Sequence, residues 1–334
     1  MKVGSILAIH PFRKVAEGYA HSKLILIGEH SVVYGKPAIA LPFPSLSVCA
    51  RIEDSLKEHM INFDDFVGTI SKLPEKMKGL GVCIEETLKA IGIFDKKVKV
   101  TLKSDIPLGR GLGSSAALAI AIVRGIYKFF DHHLERSQLL KLVNIAETYA
   151  HGNPSGIDME AASRDMPIWF KKGSQVQQIS IGKPFYIIVA DTGRIGDTRF
   201  AVESIKQLRD ENPFIVQRSI DLLGDYAYEA RDAIHTGNIV KLGEILNKAQ
   251  HELEQLGVSD DGINYFVQQA IEAGAYGAKL TGGGKGGCII ALAEREEDAR
   301  KISEALTKAK AHNTWSFKVE NKVEESIPYD GGLF

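Results

Sequence analysis

The run Ile106-Pro107-Leu108-Gly109-Arg110-Gly111-Leu112-Gly113-Ser114-Ser115-Ala116-Ala117 constrains this chain more than any other stretch. Alternating glycines let the main chain approach a ligand closely and turn its amides inward. The apolar residues from Ala116 through Val123 predict a buried helix. Its N-terminus, with unpaired amides and the positive end of the dipole, points back at the glycines. That arrangement suits a phosphate. The run is not a Walker A loop, because no Gly-Lys-Ser/Thr follows, and Gly109, Gly111 and Gly113 are not spaced as G-x-G-x-x-G. Taken alone, such a strand-to-helix turn serves packing as readily as binding. Ser114 and Ser115, able to cap the helix and to offer hydroxyl oxygens, tip the reading toward a nucleotide.

A chain of 334 residues suggests about two domains. A formal net charge of −1 gives no global attraction for nucleic acid or an anionic membrane, so neither is an expected partner and an anionic ligand must be held locally. Cys49, Cys83 and Cys288 are far apart and odd in number; they read as buried thiols in a reducing compartment rather than as a disulfide framework or a zinc pattern. No apolar run approaches the roughly 20 residues needed to span a bilayer. The apolar patch after Lys2 is broken by His10, Pro11 and Arg13 and does not read as a signal peptide. The expectation is a cytoplasmic protein.

Apolar patterning predicts strands over Tyr19 to Ile27, Ala38 to Ile52, Lys97 to Leu102, Ile168 to Phe170 and Phe185 to Ala190. Ser137 reads as the cap of a helix running to about Ala150, with Leu139, Val143 and Ala146 on one face. From Asp197 the pattern turns helical, at roughly 198–210, 214–236, 238–256 and 260–273. A short strand near Ala278 to Leu280, a glycine loop, the strand Cys288 to Ala293, a helix through Lys310 and a strand around Trp315 to Val319 follow. A boundary near residue 184, at Gly182-Lys183-Pro184, divides the chain into domains 1–184 and 185–334. Pro328 and Gly331-Gly332 make the tail Glu324 to Phe334 peripheral.

Several polar residues stand at suggestive places. Glu147 follows Val143 by four residues and so lies along the apolar stripe, where a carboxylate needs a cation or several hydrogen bonds. Mg²⁺ beside nucleotide phosphates meets that need, with Ser114 as a neutral oxygen donor; a boundary glutamate reaching solvent or pairing with His151 meets it equally. Pro154 and Gly156 open a short helix with Asp158 in its first turn. There Asp158 is either a helix-dipole acid, three residues after Ser155, or an acid poised to orient a hydroxyl. Lys23 heads the apolar run Lys23-Leu24-Ile25-Leu26-Ile27 before Gly28-Glu29-His30, as a solvated strand-edge lysine or as a cation for a transferring phosphoryl group. His30 lacks a second His or Cys at metal-binding spacing. In Thr281-Gly282-Gly283-Gly284-Lys285-Gly286-Gly287-Cys288, three glycines match G-x-G-x-x-G, but a strand follows where a dinucleotide fingerprint needs a helix. A glycine-rich hairpin fits better, as a plain turn or as a lid edge approaching phosphate.

Together these pieces resemble the GHMP kinase superfamily along nearly the whole chain. The resemblance runs through Lys23 to Ala40, with Gly28-Glu29-His30-Ser31-Val32-Val33-Tyr34-Gly35-Lys36-Pro37-Ala38, then Pro107 to Ala117 and Thr281 to Cys288, with His251 to Ser259 in addition. It implies an α+β, two-domain GHMP-kinase-type fold, with an N-terminal mixed α/β domain and a ferredoxin-like C-terminal domain. It also implies ATP and Mg²⁺ as cofactors, the triphosphate lying on the 109–115 loop. The implied acceptor is a small alcohol, mevalonate at its 5-hydroxyl, with phosphomevalonate or a sugar as the alternative. Asp158 would be the catalytic carboxylate and Lys23 its cationic partner; Ser114 and Glu147 would hold Mg²⁺. Glu29, His30 and Thr198 would shape the acceptor pocket, with Val33, Ile157 and Val258 as an apolar wall. A phosphorylated acceptor would require further cations, for which Arg194, Arg199 and Lys285 are the nearby candidates. Self-association as a homodimer stays open. Two departures stand out: Ala20-His21-Ser22-Lys23 replaces the usual Ala-Pro-Gly-Lys, and Lys285 stands where Gly, Ala or Asn is commoner.

Overall fold

Two long strands, β1 (Val15–Ile27) and β2 (Ala38–Ser55), are the first among the described residues and pair with each other. The computed structural model describes residues 14–152, 154–196 and 198–321. The expectations for the N-terminal patch and for the tail from Glu324 fall outside these residues. The chain forms two compact units from interleaved segments. The first takes the described residues up to Ser22, then Leu46–Ile106 and Gly113–Ser163; the second takes Lys23–Ser45, Pro107–Leu112 and the described residues from Arg164 onward.

In the first unit, strands β3 (Met60–Phe63) and β4 (Phe66–Thr69) precede α1 (Lys78–Ala90) and β5 (Lys97–Ser104). Helices α2 (Ser114–Phe129), α3 (Arg136–His151) and α4 (Ile157–Ala162) follow. The outer half of β2 pairs antiparallel with β5, Ala50 opposite Leu102, and β5 pairs parallel with β3. Alternation sends Val48, Ala50, Ile52, Val98, Val100 and Leu102 into the core. Helix α2 is buried from Ala116 through Val123 and packs on α1 and α3, as its unbroken apolar run requires. Ser137 is not the cap of α3. Glu135 is, in a reciprocal box with Gln138 that satisfies two orphan amides where a serine hydroxyl would satisfy one. Strands β3 and β4 and helix α1 were not foreseen. The strands have four residues each, and α1 carries Gly79 and Gly81 in its first turn, which blurs its period.

In the second unit, Ala38–Ala40 of β2 pair with β6 (Ile168–Phe170), which pairs with β7 (Gln177–Gln178). Then come β8 (Phe185–Asp191), α5 (Thr198–Glu211), α6 (Pro213–Thr236), α7 (Ile239–Gln255) and α8 (Asp261–Glu272). β9 (Gly277–Thr281), β10 (Cys288–Ala293), α9 (Glu296–Lys308) and β11 (Asn313–Val319) complete it. The last four strands form an antiparallel sheet in the order β11-β8-β10-β9, with α7, α8 and α9 packed on it, the ferredoxin-like half that was expected. All residues of β9 and β10 are buried, including Lys279. Because β10 pairs with both β8 and β9, the segment after the third glycine cluster is strand and no dinucleotide fingerprint exists there.

Candidate active site

Three sequence motifs meet inside the second unit. Lys23 is 2% exposed, so it is not a solvated strand-edge lysine; its Nζ donates to the Gly111 carbonyl at 3.0 Å and its amide donates to Leu112 at 3.2 Å. The turn at Gly111 in turn lies against the third glycine cluster. A Cβ on Gly111, whose φ is +76°, would meet Gly282 Cα at 3.3 Å, and one on Gly282 would meet Gly111 at 3.0 Å. Here glycine is required for backbone-on-backbone packing in a left-handed conformation. The 282–287 turn is itself buried apart from the half-buried Lys285, so it is a packed hairpin turn and not a lid edge. The change at Lys285 leaves the turn closed: its amide donates to Val258 at 2.8 Å.

The first motif is strapped to β9 and the turn beyond it at three points. Thr281 Oγ1 accepts from the Ile25 amide at 3.1 Å and donates to the Ile25 carbonyl at 2.9 Å. Lys279 Nζ forms an ion pair with Glu29 Oε1, both side chains 0% exposed, and also donates to the Leu280 carbonyl at 2.6 Å. His30 Nε2 lies 3.0 Å from the Gly283 carbonyl. A carbonyl only accepts, so Nε2 carries the proton and Nδ1 is the acceptor of the neutral ring. Burial pushes the His30 pKa down to about 4, which keeps it neutral near pH 7. Burial also pushes Glu29 up, against the pull of Lys279 and Lys23, and pushes Lys279 down, against the pull of Glu29. Glu29 Oε2 is buried with no hydrogen-bond partner among the described residues.

The first unit supplies the other candidates. Gly113, at φ +73°, heads α2 with no side-chain cap, so the hydroxyls of Ser114 and Ser115 are not spent on the helix end. Both serines are half-buried at the first turn, where amides and dipole favour an anion. Glu147 is 4% exposed on α3, which excludes the solvent-reaching alternative; the His151 side chain falls outside the described set. A carboxylate and a hydroxyl are hard oxygen donors, and Mg²⁺ commonly takes one or two carboxylates with the rest of its shell from phosphates and water. The donor set therefore fits that ion. Asp158 lies half-buried in the first turn of α4, whose N-cap is Gly156 at φ +90°; Ser155 Oγ accepts from the Ile157 amide at 3.4 Å in place of a capping box.

Other expectations meet mixed outcomes. Thr198 begins α5, and its side chain and that of Arg199 lie outside the described set. Arg194 is committed to Asp260 through two hydrogen bonds of 3.0 and 2.7 Å. Ile157 and Val258 are interior, 1% and 0% exposed, whereas Val33 is 42% exposed. The Arg110 side chain pairs with buried Asp191 at 2.9 Å and donates to the Gly193 carbonyl, while its buried Nη1 has no hydrogen-bond partner among the described residues. Lys279 and Asp191 are fully buried charges that none of the sequence motifs marks. The available signal was a charge inside an otherwise apolar strand, where burial demands a partner.

The family description GHMP kinases N terminal domain matches residues 77–164, and GHMP kinases C terminal matches residues 230–312. With the glycine turns, the buried Lys23 and the antiparallel C-terminal sheet, these matches define the class: the chain belongs to the GHMP kinase family. Among its members the chain is similar to mevalonate kinases. That of Pyrococcus abyssi is 32% identical over 312 residues, covering 86% of this chain and 90% of the relative. The crystal structure of mevalonate kinase from Staphylococcus aureus MRSA252 is 31% identical with a TM-score of 0.71, covering 92% of this chain and all of that one. The L. major mevalonate kinase in complex with R-mevalonate shares the fold at a TM-score of 0.81 and 24% identity, covering 93% and 98% of the two chains.

Proposed function

We propose that this chain transfers the γ-phosphoryl group of ATP to the 5-hydroxyl of mevalonate. The observation that carries the reading is the convergence of Lys23, the turn at Gly111 and the turn at Gly282 within one unit. Phosphoryl transfer is mostly positioning and charge stabilisation, and a buried lysine held on a glycine turn supplies both. The identity of the relatives supports the acceptor.

The backbone of Pro107 through Ala117 would hold the phosphates of ATP. Ser114 and Glu147 would hold Mg²⁺, which supplies charge neutralisation on the phosphates. Lys23 stabilises charge on the transferring group. Asp158 orients the acceptor hydroxyl and takes its proton, and Glu29, His30 and Thr198 shape the acceptor pocket. The commitment of Arg194 to Asp260 removes one of the cations that a phosphorylated acceptor would need, which favours mevalonate over phosphomevalonate. The matched segments, 77–164 and 230–312, leave room for a domain boundary at residue 184, although the compact units interleave and the chain passes from the first to the second at Ser163–Arg164. No helix among the described residues is long and apolar enough to cross a membrane, and the free thiols of Cys49, Cys83 and Cys288 suit a reducing cytoplasm.

A coupled ADP-release assay over mevalonate, phosphomevalonate, galactose and homoserine tests the assignment. The expected kcat/KM for mevalonate exceeds each of the others by at least about 10²-fold, as a site built on specific polar contacts allows. A higher value for phosphomevalonate would transfer the assignment to that acceptor and leave the kinase class standing.

A further inference from the structure

Arg110 is the one residue of Pro107–Leu112 whose side chain carries hydrogen-bonding atoms. Its Nε lies 2.9 and 3.0 Å from the two carboxylate oxygens of Asp191, Nη2 donates to the Gly193 carbonyl at 3.2 Å, and Nη1 is buried. Asp191 ends β8, is 0% exposed, and through Oδ1 also accepts from the Gly193 amide at 2.8 Å. Holding β8 in its sheet does not require this charge, because the strand pairs with β10 on one side and β11 on the other. An uncharged acceptor would serve the Gly193 amide. What the carboxylate adds is a counter-charge for Arg110.

The main chain of the same turn is held by its carbonyls. That of Gly109 accepts from the Gly196 amide at 2.9 Å, and that of Gly111 accepts from Lys23 Nζ at 3.0 Å. A trans peptide points its N–H opposite to its C=O. The amides of Arg110 and Leu112 therefore point away from Gly196 and Lys23. Main-chain amides so directed are what a glycine turn offers a phosphate. The segment that anchors the turn is bonded in its own right to the third glycine cluster. Thr192 donates through its amide and Oγ1 to the Gly287 carbonyl at 2.9 and 2.8 Å, and the Gly287 amide donates to Arg194 at 2.8 Å. All of these residues belong to the second unit.

We propose that Asp191 is a positioning residue for nucleotide binding: from the end of β8 it holds the Arg110 guanidinium and so sets the 107–112 turn that receives the phosphates. The proposal rests on the nucleotide reading of that turn and extends it to a residue that none of the assigned roles includes. Loss of the carboxylate leaves the guanidinium its bond to the Gly193 carbonyl and lets the turn shift while every residue of the turn remains. A misplacement of about 1 Å costs an oriented group on the order of 10²-fold.

The experiment compares wild type, Asp191→Asn, Asp191→Ser and Val189→Ala. Calorimetric titration with Mg²⁺–ATP in the absence of acceptor gives Kd, and thermal unfolding and steady-state kinetics follow with whichever alcohol of the acceptor panel the wild type turns over best. Asparagine and serine keep an acceptor for the Gly193 amide and remove the charge. Val189, 0% exposed in the same strand, is the control for lost packing. Both Asp191 variants are expected to raise Kd for Mg²⁺–ATP at least about tenfold, while kcat at saturating ATP stays within about threefold and KM for the acceptor within about twofold. Val189→Ala is expected to lower the unfolding temperature and to leave Kd within about twofold. A Kd within about twofold of wild type in the Asp191 variants would show the pair to be packing alone and overturn the proposal. A tighter Kd would overturn it as well, since the released guanidinium would then serve the phosphates better than the held one. So would an equal rise in Val189→Ala, a loss confined to kcat, or the absence of a cooperative unfolding transition in both Asp191 variants, which would make Asp191 a folding element; where only one of them unfolds cooperatively, that one decides. A wild type that does not bind Mg²⁺–ATP would overturn the nucleotide reading and the proposal with it, whereas a wild type that binds and variants that match it overturn the proposal alone.

Discussion

Lys23, Glu29 and His30 are each no more than 7% exposed and are held by bonds that come from β9 and the two glycine turns. Ser114, Ser115 and Asp158, in the other compact unit, are half-buried at the first turns of helices without side-chain caps. Both regions carry residues proposed for the same reaction, yet one is assembled before any ligand arrives and the other leaves hydroxyls and amides able to meet one. Electrostatic preorganisation needs the first arrangement, because donors and charges that are already oriented cost nothing to reorganise during transfer. A nucleotide that must enter and leave needs the second. Substitutions at the half-buried helix ends should therefore bear mainly on catalysis, while those in the buried strand end should affect stability as well.

The largest expected effect breaks the comparison if it fails. Asp158→Asn should lower kcat by at least about 10²-fold, the low end for a positioned acid–base group. The variant should keep a cooperative unfolding transition, because asparagine preserves the shape of aspartate in the first turn of α4. Turnover above roughly half of the wild-type value would reduce Asp158 to a helix-dipole residue.

An intermediate effect is expected in the metal requirement. Ser114→Ala and Glu147→Gln should each raise the Mg²⁺ concentration that half-saturates the reaction, since each removes an oxygen donor from an ion that demands near-octahedral coordination. Titration of Mg²⁺ at fixed ATP measures it. The comparison is sharpened here, because Glu147 is the one proposed ligand that is 4% exposed, and its replacement should also shift the denaturation midpoint while Ser114→Ala should not. An unchanged Mg²⁺ requirement in both variants would remove the pair from metal binding.

The smallest effect concerns acid stability of the buried strand end. The His30 pKa is lowered from 6.5 to about 4 by burial. Between those values the unfolded chain binds a proton at this position that the folded chain does not, so stability falls as pH drops through the window and is fully present above it. His30→Asn should flatten the decline in unfolding temperature between about pH 6.5 and 5, before most carboxylates protonate. An identical slope in wild type and variant would mean that the ring titrates alike in both states.

Legibility from the sequence followed the same divide. The strands predicted at 97–102 and 288–293, which the structure forms at 97–104 and 288–293, the helix after Ser115 and the short helix carrying Asp158 are readable because their periods, turn residues and glycine spacings are local. The hairpin at Phe63 and Phe66 was missed because its strands are too short to show an alternation. Glu135 was passed over for Ser137 because a reciprocal box with a glutamate at the cap is a rarer pattern than a capping serine. In the candidate site, Lys23, Glu29 and His30 could be named from their motif, but nothing near them in the chain announced that all are buried.

By itself the sequence determined the elements, the phosphate-suited turn and the polar residue types available for chemistry, because periodicity and backbone freedom are properties of a few neighbouring residues. Tertiary structure alone decided which charges lie in the core and what they answer to. Lys279 and Glu29 are 250 residues apart in the chain and Thr281 and Ile25 are 256 apart. Whether a lysine is solvated or is a buried counter-charge depends on what folds over it, and no local pattern carries that information.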